Sequence, residues 1–139
     1  MGDRAVIATK ETFENNGIGI YLHYNGGRDF IEAFLRYCEL KGYRPPDKDC
    51  YGWARLCQII SNYFGGALSI GIDTINHLDT YNGDNGTYII EDWNIVDRVY
   101  FYDEEQNSRK LTELLMEIDK CQPPEEQMGP IFIIKNGLE

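Results

Sequence analysis

"IYLHYNGGRDFIEAFL", residues 20–35, sets two periodicities back to back. Ile20-Tyr21-Leu22-His23-Tyr24 alternates as a half-buried strand does, and Asn25-Gly26-Gly27 breaks the run. From Arg28 onward, Phe30, Ile31, Phe34, Leu35 and Cys38 recur at the spacing of one helix face. A strand that turns at once into an amphipathic helix predicts a sheet covered by helices.

The flanks extend this pattern. Residues 4–10 carry Ala5, Val6 and Ile7 as a first strand, and Glu14-Asn15-Asn16-Gly17 is a turn into strand 18–24, which predicts a hairpin. The helix over 28–41 stops at Gly42, and Pro45-Pro46 blocks its continuation. Asp49 is the expected N-cap of a second helix over 50–64, with Trp53, Cys57, Ile60 and Phe64 as its stripe and Gly65-Gly66 as its end. The period then changes: Leu68, Ile70 and Ile72 alternate, and 87–90 and 98–102 read as two further strands. A third helix fits 108–121, with Ser108 as N-cap and Leu111, Leu114, Leu115 and Ile118 inward. After Pro123-Pro124, the run 130–134 reads as a late strand, or 122–139 as an extended tail. The order ββ-αα-βββ-α-β predicts one α+β domain, its mostly antiparallel sheet covered on one face by about three helices. The chain has no internal repeat.

A length of 139 residues suits one domain with a real core. The formal charge of −10 repels phosphates, and no basic patch offsets it, so direct nucleic-acid binding is disfavoured. No apolar run reaches membrane-spanning length, and Val6 stands where a myristoylation signal needs Ser or Thr. Four cysteines without a Cys-x-x-Cys pair point to reduced thiols in the cytoplasm, with Cys38 and Cys57 as small buried hydrophobes.

Charge is uneven. Residues 91–126 hold 11 acids and four bases, whereas 1–90 hold 11 and eight. Asp103, Glu104, Glu105, Glu113 and Glu117 lie at the centre of the acidic region. They form either a solvated face that keeps the protein soluble or a negative surface that docks on a basic partner. "HLDTYNGDNGTY", residues 77–88, adds Tyr81 and Tyr88 as aromatic anchors for such a partner. Its Asp79, Asn82, Asp84 and Asn85 supply oxygens, but the order of a calcium loop is not met. Turn chemistry accounts for them, and no metal or cofactor is expected.

Asn25-Gly26-Gly27 completes no phosphate-binding motif. Its place before a helix suits an anion and Arg28 would assist, but Asp29 opposes one, which favours a structural corner. The alternative is a nucleotide site using Asn25, Gly26, Gly27, Arg28, Arg44 and Arg55, with Tyr24 or Trp53 stacking on a base. His23, a lone strand histidine among tyrosines, reads as packing or surface rather than catalysis. Asp49-Cys50-Tyr51-Gly52 resembles the Asp-Cys-Ser-Gly nucleophile motif of NlpC-type cysteine peptidases over four residues. That resemblance implies Cys50 as nucleophile with a later histidine on a strand. The later histidine here is His77, in a loop, and Tyr51 replaces the small residue.

Over residues 4–102, the segments Arg4-Ala-Val-Ile, Tyr21-Leu-His-Tyr-Asn-Gly-Gly, Tyr51-Gly-Trp-Ala-Arg-Leu-Cys-Gln and Gly83-Asp-Asn-Gly-Thr-Tyr resemble small acidic proteins of phages and mobile elements of Gram-positive bacteria. The resemblance implies a context and no mechanism. In that context the expectation is a non-enzymatic protein that inhibits a host defence component, of anti-CRISPR or anti-restriction type, in the host cytosol. The alternatives are a sponge for a small nucleotide signal and a cysteine hydrolase using Cys50. Oligomeric state is not legible.

Overall fold

Ala5–Thr9 (β1) is buried along its whole length, which puts it inside the sheet rather than at an edge. A computed structural model describes residues 2–101 and 109–137. In it β1 is followed by α1 (Lys10–Glu14), β2 (Ile18–Leu22), α2 (Arg28–Leu40), α3 (Tyr51–Phe64) and β3 (Ile70–Thr74). Then come β4 (Thr87–Glu91), β5 (Asn94–Val99), α4 (Leu111–Lys120) and α5 (Pro130–Asn136), with short 3-10 turns at Ile75–His77 and Pro124–Glu126.

The five strands lie in the order β3-β2-β1-β4-β5. Three pairings are antiparallel, with Ala5 opposite Leu22 and Ile7 opposite Ile20. The central pair, β1 with β4, is parallel, with Val6 opposite Thr87 and Thr9 opposite Ile90. The sheet is therefore mixed. The long excursion through α2, α3 and β3 returns the chain beside β1 in the same direction, which a tight hairpin cannot do.

Alternation divides the sheet residues between two faces. Ala5, Ile7, Ile20, Leu22, Tyr88 and Ile90 join the main core with the inner sides of α2, α3 and α4. Ala8 and Ile89 point the other way, into a small cluster with Ile75, Phe13 and Leu78. The layer expected on one face is there, and α1 adds a helical turn on the opposite one. The predicted pairing of the first two strands holds, but their connection carries α1. Thr9 and Thr12 start it with a reciprocal cap: the Thr9 hydroxyl accepts from the Thr12 N–H at 3.2 Å, and the Thr12 hydroxyl from the Thr9 N–H at 3.0 Å.

β5 begins four residues before the predicted strand 98–102. Asp92 and Trp93, at φ 52° and 67°, make a two-residue turn of the I′ kind between Glu91 and Asn94. Tryptophan is a poor turn former. Here it is 5% exposed and its indole N–H donates to the Tyr43 carbonyl at 2.7 Å, so burial overrides local preference.

The late strand expected at 130–134 is a helix, and the described residues hold five α-helices rather than three. An apolar run of four residues fits either state. Pro130 at the first helical position and Gly129 at φ +87° favour a helix start, and Ile133 is buried while Ile131, Phe132 and Ile134 stay exposed. Ser108, the expected N-cap of α4, lies outside the described residues, and Lys110 holds that position.

Candidate functional site

The corner at 25–27 is bolted rather than open. A Cβ on Gly26 would lie 2.6 Å from the Asp3 carbonyl oxygen and 2.7 Å from Ala5 Cβ, so only glycine fits. Its N–H donates to the Asp3 carbonyl at 2.8 Å, and its own carbonyl accepts from the Tyr88 hydroxyl at 2.7 Å. The Phe30 N–H, in the first turn of α2, donates to the Asp29 carboxylate at 2.7 Å. Partial burial raises the Asp29 pKa despite that bond. Two of the donors an anion would use, the Gly26 and Phe30 N–H groups, are already committed.

Tyr88, expected on a docking surface, is fully buried, and this corrects the expectation. Its ring belongs to the helix-covered face, and the Arg98 guanidinium lies 4.0 Å from its centroid. Tyr81 is exposed, at 64%, and stacks on Tyr100 with ring centroids 3.8 Å apart. In the same loop Asn82 is spent on the turn: its carbonyl oxygen accepts from the N–H groups of Asp84 and Gly86, and its amide donates to the carbonyls of Asp79 and Gly86. The Asp84 carboxylate takes the Arg4 side chain at 2.8 Å. Burial acts to raise the Asp84 pKa, but the Arg4 side-chain and backbone bonds outweigh it and hold the group low. The side-chain oxygens of Asp79, Asn82 and Asp84 are structural.

The nucleotide candidates do not converge. Tyr24 and Asn25 line a shallow cavity of about 600 Å³ beside Tyr63 and Phe64. Trp53 lines a different one. Arg44 pairs with Asp49 at 3.1 Å, Arg55 lies over the rings of Tyr43 and Tyr51, and Arg28 pairs with Glu32 at 3.0 Å.

Of the expected acidic surface, Asp103, Glu104 and Glu105 lie outside the described residues. Glu113 is exposed on α4. Glu117 pairs with Arg109, accepts from the Tyr63 hydroxyl at 3.3 Å and has its pKa lowered mainly by the Arg109 hydrogen bond.

A groove of about 990 Å³ lies on the sheet face opposite the main core, between α1 and β5. Ile89, Val99, Val96 and Phe13 form its apolar surface, which reaches Ile90 and Trp53 of the main core at one end. The segment 46–50 and the start of α3 close one end. Glu11, Glu14, Asp47, Asp49, Glu91 and Asp97 line it, against the amines of Lys10 and Lys48. Lys48 is spoken for: its Nζ lies 3.1 Å from both the Asp47 and Asp92 carboxylates. The Asp47 bond, then the Asp92 bond, raises its pKa. Asp49 is likewise paired, with Arg44, and the remaining carboxylates leave the groove field negative. Phe13 links it to the tyrosine stack, with its ring 6.1 Å from that of Tyr100.

Cys50 also lines this groove, at the N-cap of α3, one residue beyond the expected Asp49. The Asp49 carboxylate still accepts from the Tyr51 N–H at 2.8 Å. No histidine lines the groove among the described residues. His23 follows β2 at the other end of β1, with its Nδ1 2.9 Å from the Tyr21 hydroxyl. His77 pairs with Thr74 at 3.0 Å. The glycine of the motif has a packing reason, because a Cβ on Gly52 would stand 2.5 Å from the Pro45–Pro46 peptide.

Sequence reasoning missed the groove because its acids come one or two at a time from α1, the 46–50 segment, β4 and β5. Only the turn beside Pro45-Pro46 was a visible signal, and it carries two of them. No protein-family model, curated protein or solved structure matches the chain. No helix among the described residues is long and apolar enough to cross a membrane.

Proposed function

We propose that this chain is a non-enzymatic binding protein of phage type that inhibits a host defence component in the host cytosol by docking on it. The observation that carries the reading is the groove: Glu11, Glu14, Glu91 and Asp97, together with Asp47 and Asp49 that pair with Lys48 and Arg44, around a concave, partly apolar surface. Such a surface attracts a basic partner at a distance and excludes water on contact. Tyr81 and Tyr100 extend it with exposed aromatic area. The docking face moves from the α4 acids to this groove, because Glu117 is already paired and the groove acids Glu11, Glu14 and Asp97 are exposed.

The test is capture from a lysate of a host carrying an intact defence system, alongside a phage-plating assay. Parent protein should retain a defence component and restore plating. Glu11→Gln/Glu14→Gln/Asp97→Asn should lose both by about tenfold, equivalent to about 1.4 kcal/mol. Glu113→Gln should lose neither. Equal capture by the parent and the triple variant would move docking away from the groove. Capture without any effect on plating would remove the anti-defence role.

A further inference from the structure

We infer that the groove receives an amphipathic helix of the partner, with an apolar stripe flanked by lysine or arginine. This rests on the proposed docking function and adds the form of the occupant. Glu11 and Glu14 stand on α1 along one bank, Asp97 on β5 along the other, and Ile89 and Val99 lie between. An apolar floor between two acidic banks matches a helix whose apolar face is bordered by cations.

Strand addition to β5 is the competing geometry, and the edge is built against it. Ile90 pairs with Ile95 and Ile89 with Asp97, so Val96 is the extra residue of a bulge. A bulge breaks the row of edge donors and acceptors, and Asp97 adds a charge beside it. The occupant therefore lies across the sheet face. β4 lines the groove over Ile89–Glu91, three residues or about 10 Å at about 3.4 Å per residue, which about seven helical residues span. A second copy of this chain is opposed by charge, since the protein carries −10 overall.

The probes are three labelled synthetic peptides read by fluorescence anisotropy. One carries leucines at i, i+3, i+4 and i+7 among lysines, the second has the same residues shuffled so that no face is apolar, and the third replaces lysine by glutamate. The striped basic peptide should bind about tenfold tighter than the shuffled one, and the acidic peptide should not bind. Glu11→Gln/Glu14→Gln/Asp97→Asn should weaken the striped peptide by about tenfold and flatten its salt dependence. Val96→Thr, at an exposed strand position, should cost it about threefold and leave the melting temperature unchanged. Equal binding of the striped and shuffled peptides, or binding indifferent to the groove variants, overturns the inference. So does a concentration-dependent dimer in sedimentation that Val96→Thr abolishes, which assigns the groove to a second copy. If the peptides fail while capture from lysate still depends on the groove acids, the occupant is wrong and the docking function stands.

Discussion

The Tyr37 hydroxyl donates to the Asp119 carboxylate at 2.6 Å inside the core, joining α2 to α4. The same carboxylate accepts the backbone N–H groups of Met128 and Gly129 at 2.8 and 3.0 Å. One buried anion thus ties two helices to the segment that leads into α5. Burial and this bond push the Tyr37 pKa well above the ordinary tyrosine range. Asp119→Ala strands one buried and two half-buried donors and should cost about 2–4 kcal/mol in urea unfolding, with new proteolytic cleavage after Lys120. Tyr37→Phe removes one donor and should cost about 1–2 kcal/mol without exposing that site.

Cys50 and Gly52 separate the structural reading of the 49–52 motif from the catalytic one. Cys50→Ser touches an exposed side chain and should change stability by less than about 0.5 kcal/mol. Gly52→Ala forces α3 away from Pro45-Pro46 and should cost about 2–3 kcal/mol. Plating activity should survive the serine variant. Its loss there, with stability intact, would promote Cys50 to a nucleophile.

Thiol chemistry should follow burial. At pH 8 a disulfide reagent should label Cys50 and Cys121 first in the native protein, the half-buried Cys57 more slowly, and Cys38 only after unfolding.

Burial pushes the Cys57 thiol up to about 11 and the Cys38 thiol higher still. The folded protein keeps these protons while the unfolded chain releases them near pH 8.5, so stability is full below that value and falls as pH rises. The expected loss is about 1–2 kcal/mol per thiol by pH 10, seen as a declining melting temperature. Cys57→Ala should flatten part of the decline.

Glu117 gives the opposite sign. Arg109 holds its pKa below the usual value, so the pair stabilises above the ordinary glutamate range and the contribution fades as pH falls through the lowered pKa. The pair is exposed, so Glu117→Gln should flatten the acid side of the stability profile only slightly, and 1 M salt should erase the difference.

Periodicity alone determined most of the elements. The stripe Ile31, Phe34, Leu35 and Cys38 is buried in α2, and Leu114, Leu115 and Ile118 are buried in α4, because a local 3.6-residue repeat has one physical solution. The same local logic marked Asn25-Gly26-Gly27 as a corner. What sequence could not decide depends on residues distant along the chain. The parallel join of β1 to β4 follows from the path of the chain, and the turn at Asp92-Trp93 from a pocket that buries an indole. Pro130–Asn136 is a helix because Asp119 fixes its approach and Pro130 starts it. The groove is the extreme case. Glu11, Asp47 and the hairpin acids Glu91 and Asp97 come from three distant stretches of sequence, and only the stacking of α1, the 46–50 segment and the β4–β5 hairpin sums their charges into one field.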